Sequence, residues 1–360
     1  MNNGIREYIY SKFGEEGFAT KEENGVPAMA QNKRKFVTFY ILRETIAPLI
    51  DRSDDPETSI SFIMHSDDDN EKEVIEVPAR KFKSKEKLMG LKLCRSFNVI
   101  DPGYEYNSVR SISYLSNPNS VIFGDSVVEG GDAGQAMLPS RVLYSSSYSI
   151  RSRSEITKQL THNSLSEAGT MWDRESGSNR TSLFNTEYII PGVFFPSFVT
   201  LLNPTPESLI HMLLCFKQRS YGAQTSITGP NVKNNIVAIV TGEEELPVTS
   251  YTISEGTQLI DNFGESMTGL RENINKYVIE ALKKESPSKL IMGIELDQFL
   301  DTVDKLSPDE LKGIYEKLKA DSVELVKYAK ILRDNKKKKQ PDKKSGINAT
   351  LVDDESDESL

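Results

Sequence analysis

The chain has 360 residues, of which 37% are apolar and 27% are charged. This balance excludes wholesale disorder and is typical of a soluble globular protein with a sizeable core. The longest apolar runs, such as Ile236–Val240, are far too short to cross a bilayer, and the first residues lack a signal-peptide pattern. We therefore expect a cytoplasmic protein that does not contact a membrane.

The cysteines, histidines and charges narrow the kinds of site to expect. Cys94 and Cys215 lie far apart, and no cysteine and histidine have the spacing of metal ligands. We expect two buried free thiols, no metal and no cofactor. The net charge is −9, yet residues 80–185 carry a net charge of +4, which leaves −13 for the remainder. This local surplus permits nucleic-acid binding without demonstrating it.

Apolar runs and alternation predict several strands and one helix before residue 124. They are a central strand at Lys35–Glu44, a hairpin of Ser59–His65 and Glu73–Pro78, a helix from Ser84 to Phe97 with Ser84 as its N-cap, and strands at Val109–Leu115 and Ser120–Phe123. The start of the helix is rich in lysine, although cations there oppose the helix dipole. Either a solvated charged face or a contact with nucleic acid explains these lysines.

The second half of the chain begins with a long polar segment, Gly124–Glu187, which contains few core-forming residues. We expect an extended projection with strand-like edges at Val142–Tyr148 and Thr181–Ile190. The predicted elements after it are a strand at Gly192–Leu202 with an edge or bulge at Pro196, a helix capped by Thr205, strands at Asn235–Thr241 and Pro247–Ile253, and helices at Met267–Lys284, Lys289–Leu300 and Pro308–Leu332. The chain after Arg333 is highly charged and predicted to be disordered.

This order of elements predicts an α+β protein with a ferredoxin-like or RNA-recognition-motif (RRM) palm of βαββαβ topology, a long thumb insertion and C-terminal helices. The expected parts are a palm at 1–123 and 188–256 with a hairpin insertion at 51–80, a thumb at 124–187, a helical region at 257–333 and a charged tail at 334–360. A sheet of this kind is a common platform for RNA.

Four groups of residues carry a resemblance to a known family. They are Lys83-Ser84-Lys85 with Arg95, Phe123-Gly124 followed by Pro139-Ser140-Arg141-Val142, Met171-Trp172-Asp173-Arg174-Glu175-Ser176-Gly177 followed by Glu187-Tyr188-Ile189-Ile190-Pro191-Gly192-Val193-Phe194, and Ser220-Tyr221-Gly222-Ala223-Gln224-Thr225. Through these motifs the chain resembles the RNA-recognition-fold backbone subunits of CRISPR interference complexes, in particular the backbone subunit of type I-D Cascade. The resemblance extends from Lys35 to Ile253 and fades in the C-terminal helices.

The resemblance implies a right-hand shape, in which copies stack along a CRISPR guide RNA (crRNA) and each thumb displaces one base. The partners it implies are crRNA, target DNA with RNA left open, further copies of the chain, and the large, small, foot and cap subunits of Cascade. The RNA-binding candidates are Arg43, Lys81, Lys83, Ser84, Lys85, Lys87, Arg95, Ser140, Arg141, Met171, Trp172, Arg174, Ser220, Tyr221, Gly222, Gln224 and Thr225.

The expected roles follow from the chemistry of a phosphate chain. Lysines and arginines supply positive charge to the phosphates, and hydroxyl groups supply short hydrogen-bond donors. Contacts of this kind leave the bases free to be read by the target. Gly222 is expected to let the backbone approach RNA closely, and Met171 and Trp172 to stack against the displaced base. The competing interpretations are that Met171 and Trp172 pack the base of the thumb, that Arg141 is a structural ion-pair partner, and that the loop after Ser220 is an ordinary connection.

We expect a scaffold rather than an enzyme. The alternative is that the same scaffold cuts single-stranded target at regular intervals with a loop carboxylate and a divalent metal, for which Asp51, Asp54 and Asp55 are the candidates. A third hypothesis is a self-assembling structural protein that binds no nucleic acid.

Overall fold

The computed structural model describes residues 3–19, 25–52, 61–65, 71–128, 136–162, 170–173, 177–179, 184–258 and 266–339. The strands are β1 (Phe36–Thr45), β2 (Ser61–His65), β3 (Glu71–Val77), β4 (Asp125–Ser126), β5 (Met137–Leu138), β6 (Val142–Tyr144), β7 (Ser147–Ser152), β8 (Thr157–His162), β9 (Trp172–Asp173), β10 (Ser178–Asn179), β11 (Phe184–Ile189), β12 (Phe194–Leu202), β13 (Val232–Gly242) and β14 (Lys289–Met292). The α-helices are α1 (Asn3–Phe13), α2 (Ala79–Ser96), α3 (Pro118–Phe123), α4 (Arg153–Ile156), α5 (Pro206–Cys215), α6 (Thr225–Thr228), α7 (Ser250–Gln258), α8 (Met267–Lys284), α9 (Gly293–Asp304) and α10 (Pro308–Lys339).

Strand β1 lies at the centre of a five-stranded antiparallel sheet with the order β14-β13-β1-β12-β6. Phe39 and Ile41 belong to the core cluster on one face of the sheet, whereas Tyr40 and Leu42 belong to the cluster on the other. Successive side chains of a strand point to opposite faces, so a nearly continuous apolar run is buried on both sides. The prediction of a central strand covered on both faces is confirmed.

Helices cover both faces of this sheet. The first cluster takes buried residues from α1, α2, α5, α9 and α10, and the second takes them from α7 and α8. Every residue of α5 is buried, so this helix is enclosed rather than amphipathic. Helix α2 packs closely on α5 because Gly90 has no side chain. A Cβ at Gly90 would lie 2.4 Å from Asn119 Oδ1 and 2.9 Å from His211 Nε2.

The stretch before residue 124 is helical where strands were expected, and those two strand predictions are wrong. Residues Ile112–Leu115 form a 3₁₀ helix and Pro118–Phe123 form α3. Asn117 caps α3 by accepting a hydrogen bond from the Ser120 N–H at 2.9 Å, with Pro118 at the first helical position. This pair of residues is a standard helix start, and its local bonds outweigh the strand propensity of Val121 and Ile122.

Helix α2 begins at Ala79 with Pro78 at its N-cap, so Ser84 is not the cap. Phe82 is buried and extends the inward face of the helix by one turn beyond the predicted start. Ser84 is exposed, and its hydroxyl donates to the Lys81 carbonyl oxygen at 3.3 Å. The lysines expected at the helix start therefore lie along its first half.

Two further elements differ from the sequence-based expectation. Residues 247–253 do not form a strand, because α7 begins at Ser250, whose hydroxyl donates to the Pro196 carbonyl oxygen at 2.6 Å. The segment predicted to be a helix at 289–300 begins with strand β14, which pairs with β13 and ends at Met292. Helix α9 then starts at Gly293, where φ is +58°. In both segments, contacts with the neighbouring central sheet outweigh the local periodicity of the sequence.

The segment predicted to form the thumb contributes one strand to the central sheet. Strand β6 pairs with Val199–Leu201 of β12, and Val142 is completely buried. Farther along, β8 and β11 pair as a two-stranded ribbon. Arg153 braces the ribbon through Glu187 at 3.0 Å and Glu73 at 2.9 Å. The boundaries of the thumb remain a prediction.

Several local predictions are confirmed. The hairpin of β2 and β3 is antiparallel, and Pro196 lies beyond the part of β12 that β6 pairs with, so the strand is locally an edge. Thr205 caps α5. Ser307 and Glu310 form the predicted capping box at α10. The helix continues to Lys339, however, so the prediction of disorder after Arg333 is wrong for residues 334–339. Within the described ranges, no helix has the length and apolar content needed to cross a bilayer.

Candidate nucleic-acid interface

A groove with a volume of about 480 Å³ lies between α2 and the loop that connects α5 to α6. Its walls are formed by Lys85, Leu88, Leu91, Lys92 and Arg95 on one side and Lys217, Gln218, Arg219, Ser220 and Thr225 on the other. Lys85, Lys92 and Arg95 share one face of α2 because they are seven and three residues apart. The groove therefore brings together four sequence-predicted residues, namely Lys85, Arg95, Ser220 and Thr225.

The charge of this groove, which we call the basic groove, is strongly one-sided. Five of its lining residues are cationic and none is acidic. Lys217 is paired with Asp304 at 2.6 Å. Within the part of the chain that the structure describes, no carboxylate lies within ion-pair distance of Lys85, Lys92 or Arg95. A concave surface with several uncompensated cations attracts phosphate groups.

The loop wall of the basic groove is held by side chains from β13 and from the turn just before it. Asn234 Nδ2 donates to the carbonyl oxygens of Phe216 at 2.9 Å and Gln218 at 3.3 Å. Asn231 bonds both backbone groups of Tyr221, each at 2.9 Å. The loop is therefore an ordered wall rather than a free connection.

Behind the groove lies a buried network around Glu86, which sits on the inward face of α2. One carboxylate oxygen accepts from Arg43 at 2.6 Å and from Tyr221 at 2.8 Å, and the other accepts from Tyr144 at 2.6 Å. Arg43 also donates to Ser197 at 3.0 Å and to Asn234 at 2.9 Å. Its guanidinium carbon lies 4.0 Å from the centre of the Phe82 ring, a cation–π geometry.

This network corrects two of the predicted RNA contacts. The side chains of Arg43 and Tyr221 are 0% and 1% exposed, so neither can touch a bound strand. Burial lowers the pKa of Arg43, but Glu86, Tyr221 and Tyr144 together outweigh burial, so the pKa is raised overall. Both residues act inside the protein. Arg43 is paired with Glu86, although its Nη2 has no hydrogen-bond partner within the described ranges, and the Tyr221 hydroxyl is bonded to Glu86 and Asn234.

Three of the predicted lysines bind the protein itself. Lys81 Nζ donates to the Arg52 carbonyl oxygen and lies 3.6 Å from Asp51. Lys83 Nζ donates to Ser140 Oγ at 2.8 Å, and Lys87 Nζ donates to the Gly124 carbonyl oxygen at the same distance. Burial lowers the pKa of both Lys83 and Lys87. Part of their donor capacity is thus already used at the start of the predicted thumb.

Arg141 lies on the short connection between β5 and β6, directly after Ser140, the partner of Lys83. Its backbone N–H donates to the Ile122 carbonyl oxygen at 2.9 Å. Its side chain is half-buried, burial lowers its pKa, and Nε has no hydrogen-bond partner within the described ranges. No carboxylate among the described residues pairs with Arg141, so the interpretation of Arg141 as a structural ion-pair partner has no support within these ranges.

Gly222 is close to backbone, but the backbone is that of this chain. Its φ is +72°, and a Cβ there would lie 2.3 Å from the Ile50 carbonyl oxygen. The neighbouring Ala223 N–H donates to that same oxygen at 2.8 Å. The reason for glycine at this position is thus the contact with Ile50 rather than an approach to RNA. Gln224 is also left-handed, with φ +50°.

The remaining candidates lie in or near the predicted thumb. Trp172 is 50% exposed and pairs with Asn179 in the ribbon of β9 and β10, while Met171 beside it is half-buried. Arg174 lies outside the described residues, as do Asp54 and Asp55. A half-exposed indole is suited to stacking on a base.

Asp51 is the one candidate aspartate that the structure describes. Its side chain is 2% exposed, and burial raises its pKa to about 6 despite the nearby Lys81. Neither carboxylate oxygen has a hydrogen-bond partner within the described ranges. Among the same residues, no three potential metal ligands cluster. The enclosed position of Asp51 does not suit attack on a bound strand.

The sequence analysis did not identify several residues that line or support the groove. Lys92 follows Lys85 by two helical turns and could have been assigned from spacing alone. Lys217 and Arg219 carried no local signal, because only the fold brings them opposite α2. The clamping asparagines, Asn231 and Asn234, likewise resemble ordinary polar residues until their partners are known.

Comparison with known proteins places the chain in a family. A family model described as Csc2 CRISPR matches residues 21–318. No curated protein matches the chain. The crystal structure of Csc2 from Thermofilum pendens is similar, with a TM-score of 0.60 at 14% identity over 90% of this chain and 98% of that one. At such identity, this likeness concerns the fold alone.

Two solved chains of CRISPR RNA-guided surveillance complexes are also similar. One, from a pre-nicking complex, has a TM-score of 0.46 at 10% identity and covers 71% of this chain and 91% of its own. The other has a TM-score of 0.47 at 12% identity and covers 79% and 99%. The family model spans well over half of the sequence, and the chain therefore belongs to the Csc2 CRISPR family.

Proposed function

We propose that this protein is a crRNA-binding backbone subunit of a type I-D Cascade. Copies of it oligomerise along the guide and present its bases for pairing with target nucleic acid. The observation that carries the proposal is the basic groove, in which Lys85, Lys92 and Arg95 face an ordered loop without a lining carboxylate. Family membership supplies the context in which a guide RNA is the ligand.

The groove suits phosphates better than bases. Its donors are ammonium and guanidinium groups together with the hydroxyls of Ser220 and Thr225, all of which bond oxygen. A protein that presents a guide needs contacts of this kind, because contacts to base edges would hide the sequence from the target. Phosphate contacts also hold any guide sequence equally well.

The order of strands supports a ferredoxin-like palm. Strands β13, β1, β12 and β6 are neighbours in that order, α2 lies between β1 and β6 along the chain, and α5 lies between β12 and β13. In this interpretation the short strand β6 is the second strand of the βαββαβ core. The ribbon of β8 and β11 is then the stem of the thumb, and Trp172 stacks on the displaced base.

The proposed partners are crRNA, target DNA or RNA paired through it, further copies of the chain, and the large, small, foot and cap subunits. No catalytic step is assigned to this chain. Arg141, in the segment predicted to form the thumb, makes a second contact with the sugar–phosphate chain beyond the basic groove, while Lys83 and Lys87 of α2 hold the start of that segment in place.

The test neutralises one face of α2. The variant Lys85→Gln, Lys92→Gln, Arg95→Gln removes three charges from the groove, whereas Lys276→Gln, Lys283→Gln, Lys284→Gln removes three exposed charges from α8 on the other side of the sheet. Affinity for a single-stranded RNA is measured against salt concentration. The groove variant is expected to bind more weakly and to lower the salt slope by about 0.7 for each phosphate that the protein no longer neutralises.

The α8 variant is the matched control and is expected to keep both affinity and slope. The protein purified after coexpression with a CRISPR array is expected to carry RNA of uniform length. If it carries none, and the two triple variants behave alike, the crRNA-binding role is refuted and a structural protein that assembles without nucleic acid takes its place.

A further inference from the structure

The two walls of the basic groove are joined by one buried hydroxyl. Tyr221 follows Ser220 on the loop wall, and its Oη donates to Glu86 Oε1 at 2.8 Å. Glu86 lies on α2 next to Lys85 of the other wall and is 0% exposed. This is a direct link between the elements that carry the cations, made through atoms that no ligand in the groove can reach.

The same hydroxyl is anchored from a third element. Asn234 Nδ2 donates to Tyr221 Oη at 2.7 Å and also bonds the carbonyl oxygens of the loop wall at Phe216 and Gln218. Asn234 Oδ1 accepts from Arg43, which is paired with Glu86. A closed set of hydrogen bonds therefore connects β1, α2, the loop and β13 behind the groove.

Stability alone is a weak reason for this arrangement. Burying a fully desolvated ion pair gains little or nothing over apolar residues of the same shape, whereas a buried polar network can fix one geometry. A groove of like charges needs such a restraint, because its cations repel one another when no phosphate is bound. A ligand that meets walls already at the right spacing does not have to spend binding energy on ordering them.

We infer that Tyr221 is a positioning residue: its hydroxyl, held by Glu86 and Asn234, sets the spacing of the two basic walls and thereby the affinity for the sugar–phosphate chain of a single-stranded RNA. The inference rests on the proposed RNA-binding function of the groove. Tyr221 makes no contact with the RNA and acts through Lys85, Lys92 and Arg95.

Tyr144 provides a matched control on the same carboxylate. Its Oη donates to the other oxygen of Glu86 at 2.6 Å, but it belongs to β6 and does not line the groove. Tyr221→Phe and Tyr144→Phe each delete one hydroxyl bonded to Glu86. Only the first deletion removes a direct hydrogen bond between the two walls, so the two variants separate positioning from general support of the network.

The experiment compares the full-length wild type and both variants in binding to a fluorescent single-stranded RNA, below their unfolding temperatures. Stoichiometric titration gives the fraction of active protein, and dilute titration gives Kd. Tyr221→Phe is expected to weaken Kd about tenfold, in keeping with the loss of a pre-ordered site, while Tyr144→Phe stays within about twofold. A purely structural role of Tyr221 lowers the active fraction and leaves Kd unchanged.

The groove variant Lys85→Gln, Lys92→Gln, Arg95→Gln distinguishes a failure of the proposed RNA-binding function from a failure of the positioning role of Tyr221. If that variant binds RNA as the wild type does, the proposed function of the groove is wrong. If it binds weakly but Tyr221→Phe and Tyr144→Phe share one Kd, the groove binds RNA and the positioning role of Tyr221 is overturned.

Discussion

Arg43 donates to Glu86 across 2.6 Å, and neither side chain is exposed to solvent. The pair joins the central strand β1 to α2, the helix that carries one wall of the basic groove. Both oxygens of Glu86 are occupied by donors, which is what a carboxylate needs when it is removed from water. The pair therefore places the groove relative to the sheet.

Removing either partner of this pair alone leaves an uncompensated buried charge. Arg43→Met or Glu86→Leu is expected to lower the free energy of unfolding by about 3–5 kcal/mol, measured by urea denaturation. The double variant is expected to recover part of that loss, because no buried charge remains. A single substitution that costs below about 1 kcal/mol would contradict a fully buried pair.

Gly222 and Gly229 both have a positive φ but lie in different surroundings. Gly222→Ala is expected to destabilise the protein through both left-handed strain and the clash with Ile50, whereas at Gly229 (φ +62°) a Cβ meets nothing within 4 Å. At Gly229, ψ is −156°, a region that essentially only glycine adopts, so Gly229→Ala is expected to cost about 1–3 kcal/mol from backbone strain alone. Gly222→Ala adds the clash with Ile50 and is expected to cost more, as measured by thermal unfolding. Equal losses would show that the contact with Ile50 relaxes freely.

Asp51 is expected to make stability fall as pH rises. Burial raises its pKa from 3.8 to about 6, so between these values the folded protein holds a proton that the unfolded chain has lost. Asp51→Asn should therefore stabilise the protein at pH 7.5 by up to about 3 kcal/mol and have little effect near pH 4. The measurement is chemical denaturation at both pH values. Stabilisation that does not vary with pH would contradict this origin.

His211 is expected to make stability fall as pH falls. It is completely buried, with Nδ1 3.0 Å from Tyr315 Oη, and burial lowers its pKa from 6.5 to about 3. Between these values the unfolded chain binds a proton that the folded protein does not, so stability is lost as pH falls below 6.5. Its contribution to the slope approaches about 1.4 kcal/mol per pH unit.

The control for His211 is a variant that cannot titrate. His211→Gln lowers stability at neutral pH but is expected to remove this part of the acid dependence, so the difference from the wild type narrows from pH 7 to pH 4. The same denaturation series reports it. Parallel pH profiles of the two proteins would show that the pKa of His211 is the same in the folded protein as in the unfolded chain.

The amino-acid sequence alone was sufficient where short-range patterns decide structure. The apolar run of β1, the capped start of α5 and the periodicity of α8 all act between residues a few positions apart. The basic stripe on α2 follows the same rule, since Lys85 and Arg95 share a helical face. The sequence thus determined the central strand, five of the ten α-helices among the described residues, and four of the ten residues that line the groove.

Only the tertiary structure decided which polar residues line the groove and which face the core. Arg43 and Lys85 are both cations, yet one is enclosed beside Glu86 and the other lines the groove. Strand β6 lies within the predicted strand-like segment Val142–Tyr148, but only the fold shows that it pairs with β12 in the central sheet. Charge compensation and desolvation depend on residues that are distant in sequence, so they become defined only when the chain has folded.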